Sequence, residues 1–110
     1  IMDKVYNMPF EKVYTCLLKK ALRQGRTKQE VDEIITWLTG YSNLTDVSCT
    51  YKEFFENAPH MNPNRTLVKG TVCKIRVEDI QNPLDKDMRI LDKLIDELAK
   101  GKPMESILRK

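Results

Sequence analysis

The chain has 110 residues, 41% hydrophobic and 32% charged, with 19 Lys and Arg against 16 Asp and Glu for a net charge of +3. That length suits one small folded domain over residues 1–110, and apolar residues recurring at helical spacing exclude a disordered chain. No apolar run approaches the roughly 18 to 20 residues of a membrane span, and so mild a basic excess permits a polyanion partner without requiring one.

From Pro9 to about Gln24, the residues Phe10, Val13, Tyr14, Leu17 and Ala21 share one stripe of an amphipathic helix. Asn7 is its expected cap, Pro9 suits its first turn and Gly25 stops it. Thr27-Lys28-Gln29-Glu30 reads as a capping box for a second helix, which carries Val31, Ile34, Ile35 and Leu38 inward and stops at Gly40. Residues 42–49 are a polar loop. A second box at Thr50-Tyr51-Lys52-Glu53 opens a short third helix with Tyr51, Phe54, Phe55 and Ala58, ended by Pro59.

Residues 64–80 carry two patterns at once. Lys74-Ile75-Arg76-Val77 alternates like a strand, whereas Val68, Val72 and Ile75 fit a helix. With no second strand evident elsewhere, the reading favours a helix from about Arg65, with an intermolecular strand pair as the alternative. Pro83 opens the main core helix, in which Leu84, Met88, Leu91, Ile95 and Leu98 form the stripe as far as Gly101. Asp85 with Arg89 and Asp96 with Lys100 are acid-first pairs four apart. Pro103 then starts a last short helix bearing Met104, Ile107 and Leu108. The predicted fold class is mainly α: a compact small bundle of about five helices, with residues 64–80 the place where a strand competes with a helix.

The residue set points to no reaction. His60 is the one histidine and has no nucleophile signature beside it, so a surface-loop role is expected. Cys16, Cys49 and Cys73 are odd in number and form no Cys-x-x-Cys pair, so they read as free thiols, small buried apolar groups in a reducing cytoplasm. The start, Ile1-Met2-Asp3-Lys4, has no apolar signal core, which agrees with a cytoplasmic location. The four glycines are scattered, so no phosphate-binding loop is predicted, and neither a metal nor a cofactor is expected.

Two basic stretches offer an anion-binding face: six cations against Glu11 between residues 11 and 28, and Arg65, Lys69, Lys74 and Arg76 without an acid between residues 64 and 76. DNA is disfavoured, because a helix-turn-helix would present Glu30, Asp32 and Glu33 to phosphates. Trp37 and Tyr41, four apart on the edge of the second helix, are amphipathic anchors for a pocket rim or an interface.

Several long strings agree with one pattern: Val5-Tyr6-Asn7-Met8-Pro9-Phe10, residues 25–35, Trp37-Leu38-Thr39-Gly40-Tyr41, Asn62-Pro63-Asn64-Arg65, Arg76-Val77-Glu78-Asp79-Ile80 and residues 91–102. Over nearly its whole length the chain resembles the bacterial family known as domain of unknown function 2200. The family pattern has Gly where this chain has Lys74. The resemblance implies a small bacterial cytosolic protein and brings no activity with it. Within those strings, Tyr6, Arg26, Trp37, Tyr41, Arg65 and Arg76 exceed what capping needs and are the candidate binding residues. The leading expectation is a non-enzymatic binding module that recognises a protein partner or its own copy through the Trp37 and Tyr41 edge. The alternative is a small enzyme or ligand-binding protein that holds an anionic metabolite or nucleotide with Arg26, Arg65 and Arg76; RNA binding stands third.

Overall fold

The longest amphipathic stripe does become the organising element. In the computed structural model of the protein, which describes residues 3–110, helix α5 spans Pro83–Ala99 and buries Met88, Ile90, Leu91, Leu94, Ile95 and Leu98. Asn82 caps it by accepting from the Asp85 amide, and Pro83 fills the first turn where no amide partner is needed. Around it pack α2 (Phe10–Arg23), α3 (Lys28–Thr39), α4 (Tyr51–Glu56) and α6 (Met104–Ile107), with a short α1 (Asp3–Tyr6) lying against α4. The radius of gyration is 12.9 Å, close to the ~13 Å of a compact chain of this length.

Both capping boxes form. At Thr27 and at Thr50 the hydroxyl accepts from the amide three residues on, while the Glu30 or Glu53 carboxylate accepts from the cap residue's own amide. Each box satisfies two otherwise unpartnered groups at once. The entry to α2 differs from expectation. Pro9 is its cap residue, in extended conformation and without a side-chain bond, and Asn7 lies in the turn behind α1. A backbone bridge does the positioning instead: the Phe10 amide donates to the Cys49 carbonyl at 2.8 Å and the Tyr51 amide to the Met8 carbonyl at 2.8 Å. That bridge ties the starts of α2 and α4 together.

Residues 64–80 correct the helical reading. Pro63–Leu67 is a 3₁₀ turn, Thr71–Val72 (β1) pairs antiparallel with Ile75–Arg76 (β2), and Val77–Asp79 is a second 3₁₀ turn. The pairing strand lies within the segment itself, two residues away across the turn, so neither a helix nor a second copy of the chain is needed to satisfy β2. Val68, Val72 and Val77 point into the core, whereas Ile75 is 40% exposed. The residues that suggested a helical face are therefore not one face: Val68 and Val72 are buried and Ile75 is not.

The cysteines also depart from expectation. Cys16 and Cys73 are exposed and Cys49 is half-buried; all three are free thiols. His60 is exposed, as expected of a loop residue, and its backbone amide donates to the Thr39 carbonyl at 3.0 Å. With Asn62 donating to the Leu38 carbonyl at 2.9 Å, this stretch covers the last carbonyls of α3. No helix among the described residues is long and apolar enough to cross a membrane.

Candidate functional site

The six residues singled out from sequence do not form one site. Arg26 is spent inside the fold. Its Nε and Nη2 clamp Glu30 at 3.1 and 2.7 Å, and its Nη1 donates to the Leu98 and Lys102 carbonyls at 3.1 and 2.9 Å. One guanidinium thus joins the first turn of α3 to the end of α5, a geometry suited to the planar five-donor fork. Hydrogen bonding to Arg26, then to the Thr27 backbone, holds the Glu30 carboxyl down at about 2.

Arg65 plays the same part elsewhere, donating to Asp87 Oδ1 at 2.9 Å and to the Asn62 carbonyl at 3.0 Å. Its anchor Asp87 and Arg26's anchor Leu98 are 11 residues apart on α5, about 16 Å along a helix. Arg76 is exposed on β2. The structure therefore does not bring Arg26 and Arg65 together on one concavity.

The aromatic nominees are tied inward as well. The Tyr6 hydroxyl donates to Asp85 on α5. Tyr41 donates to the Phe54 carbonyl at 2.8 Å and stacks on the Phe54 ring at 4.4 Å. Burial is the main cause that pushes the Tyr41 phenol above its ordinary range. Trp37 is half-buried against the core.

The Tyr41 stack leads to a concavity. Phe54 stacks on Phe10 at 3.8 Å, and Phe10 meets Tyr14 at 6.0 Å, so four rings run in a column from Tyr41 to Tyr14. Phe10 and Tyr14 form one side of a cleft of about 400 Å³ between α2, α3 and the 42–47 loop. Lys28, Asp32 and Thr36 of α3 face them, and Ser42, Asn43 and Thr45 close the rim. Asn43 shapes that rim by accepting from the Thr45 amide at 2.8 Å, the local turn that an Asx side chain makes.

Within the cleft, the Tyr14 hydroxyl donates to Asp32 Oδ1, and Lys28 Nζ donates to Asp32 Oδ2 at 2.7 Å. The same ammonium lies 5.8 Å from the centre of the Tyr14 ring, within cation–π range. Burial and the neighbouring Asp32 push the Tyr14 phenol up, so it stays a neutral donor at physiological pH. The three groups make a charge-balanced, hydrogen-bonded unit. A tyrosine base needs its proton easy to remove, and this environment does the reverse.

Sequence reading missed this trio because each member has an ordinary local explanation. Tyr14 lies on the apolar stripe, Lys28 inside a capping box and Asp32 among first-turn acids. The one available signal is the Lys28 to Asp32 spacing of four, which places both on one face of α3. Among the described residues, no group of three or more His, Cys, Asp or Glu is gathered as a metal site requires.

Comparison with known proteins places the chain. Residues 4–109 match the family described as an uncharacterized protein conserved in bacteria, DUF2200. The chain belongs to this family. A crystal structure titled as that of uncharacterized protein SP1917 is similar to it, with 39% sequence identity and a TM-score of 0.90 over 98% of this chain and 93% of that one. No curated protein matches. This DUF2200 member therefore shares its fold with a relative whose title assigns no function.

Proposed function

We propose that this DUF2200 protein is a non-enzymatic binding module that recognises a protein partner, seated in the cleft between α2, α3 and the 42–47 loop. The Tyr14–Asp32–Lys28 unit carries the reading: a fixed donor, a shared carboxylate and a neutralised charge organise hydrogen bonds without supplying a base. Most of the polar lining, Glu11, Lys28, Thr36, Ser42, Asn43 and Thr45, is exposed. So open a wall suits a segment of a larger molecule, since a site for a small ligand encloses most of its surface. Lys28 offsets Asp32 and Glu11 adds a further acid to the lining, so the cleft favours a polar segment that carries no acid of its own, with Leu44 and Val47 offering apolar contact at the edge.

A photo-crosslinking side chain at Ser42 tests this in bacterial cells, with the same group at Leu22 and Leu67, which are 50% and 49% exposed, as references. The expected outcome is a discrete crosslinked protein, or a crosslinked second copy, from Ser42 alone. Equal labelling from all three positions, or none from Ser42, sinks the proposal.

A further inference from the structure

Of the cations between residues 11 and 28, Arg26 and Lys28 hold Glu30 and Asp32. Lys20 and Arg23 instead line an open groove of about 620 Å³. With Cys16 they share one face of α2, at spacings of four and seven. Asp96, Ala99 and Lys100, at the end of α5, form the opposite wall, and Gln24 completes the lining where α2 stops. The groove shares no lining residue with the cleft.

Asp96 organises these cations. Its side chain is 16% exposed and accepts from Lys20 Nζ at 3.3 Å and from Lys100 Nζ at 3.0 Å, while those two side chains stay 44% and 74% exposed. Burial disfavours the charge of Asp96, yet hydrogen bonds from Lys100 and Lys20 hold its carboxyl below the ordinary range. A carboxylate has about four lone-pair sites, so Asp96 can still accept from a further donor. The Arg23 guanidinium is exposed and has no carboxylate partner among the described residues. Three cations against one carboxylate give the lining a charge of +2. The ends of α2 and α5 subtract about half a charge each, so roughly +1 remains. Cations that served only to complement the helix ends would stop at neutrality.

We propose that this groove is a second docking surface, for an acidic segment of a protein partner. One carboxylate of the segment pairs with Arg23, others pair with the exposed ammonium groups of Lys20 and Lys100, and a main-chain amide donates to Asp96. A peptide supplies both acceptors for the cations and donors for the carboxylate. A phosphate backbone would bring its oxygens against Asp96, and no aromatic side chain lines the groove for a base to stack on. The lining is mostly exposed, which suits a segment of a larger molecule better than an enclosed small ligand.

The test titrates a blocked Gly-Glu-Glu-Asp-Glu-Glu-Gly peptide, its Gly-Gln-Gln-Asn-Gln-Gln-Gly counterpart and a uridylate octamer into the isotope-labelled full chain. The Ala99 methyl and the Gln24 side-chain amide report on the groove. The acidic peptide is expected to shift both signals saturably, with an affinity that falls as salt rises, and the uncharged peptide to shift neither. Arg23→Gln is expected to weaken the acidic peptide about two- to fivefold, the range of one exposed ion pair. Lys74→Gln, which removes the same charge at the exposed hairpin tip, is expected to leave the affinity unchanged. Absence of saturable shifts, equal binding of the uncharged peptide, equal weakening in the two variants, or tighter binding of the uridylate at the same signals overturns the proposal. The Val47 methyls of the cleft are expected to stay unmoved, so either surface can fail without the other.

Discussion

Gly40, at the end of α3, and the Cys73–Lys74 pair, at the tip of the β1–β2 hairpin, answer one backbone demand with opposite residue choices. Gly40 has φ of +83°, Cys73 +52° and Lys74 +66°. At Gly40 a side chain is excluded from two directions: a Cβ would meet the His60 amide nitrogen at 2.8 Å and its carbonyl at 3.0 Å. That closeness is the price of covering α3's last carbonyls with residues 60–62. At the hairpin tip both side chains are exposed, and the only penalty is the intrinsic one of about 1–2 kcal/mol per left-handed residue. A two-residue hairpin needs positive φ at both central positions to match the twist of its strands. Here Val72 and Val77, buried on either side of the tip, hold the hairpin down against the core despite residues that disfavour it.

The sharpest way to break this comparison is Gly40→Ala. Left-handed strain and the clash with backbone together predict a loss of about 3 kcal/mol in a denaturant titration, and a loss below about 1 kcal/mol would show that residues 60–62 yield readily. Val72→Ala follows, with an expected loss of about 2 kcal/mol from the vacated core space; a neutral result would mean that the hairpin is not anchored there. Lys74→Gly has the opposite sign and is expected to stabilise the chain by about 0.5–1 kcal/mol, after the added freedom of the unfolded state is subtracted. Thermal or chemical denaturation that shows no gain removes the claim of strain at the tip.

The smallest effect probes the other end of α3, which is held by charge rather than by shape. The Glu30 carboxyl is lowered from 4.5 to about 2 by Arg26 and the Thr27 amide. A depressed carboxylate contributes stability above its unfolded value and loses it as pH falls through the folded one. The melting temperature should therefore decline between about pH 4.5 and about pH 2, with a shallower decline in Glu30→Gln. Glu30 is about a quarter exposed, so the difference is modest. Identical profiles would place the acid sensitivity elsewhere.

These regions also mark what was legible in the sequence. The two capping boxes, the Gly40 stop and the α5 stripe could be read because each is a local pattern that tertiary packing then reinforced. The hairpin could not, because its turn lacks the Asn-Gly or Asp-Gly signal and its strands are two residues each. Val68, Val72 and Ile75 then imitated a helical face. The candidate residues show a related limit. Arg26, Arg65, Tyr6 and Tyr41 stand out in the sequence as polar groups beyond capping needs, and the structure uses each as a cross-tie between distant segments. No sequence rule separates a cross-tie from a ligand contact, because both are polar side chains on apolar-rich elements.

Tyr14 and Tyr41 end the same aromatic column, one at the cleft and one inside the fold, and a single measurement separates their roles. Crosslink yield from Ser42 should fall severalfold in Tyr14→Phe, which removes the donor to Asp32, and stay near the unmodified level in a folded Tyr41→Phe. A yield that is unchanged in Tyr14→Phe and lost in Tyr41→Phe would contradict the assignment of the cleft as the binding surface.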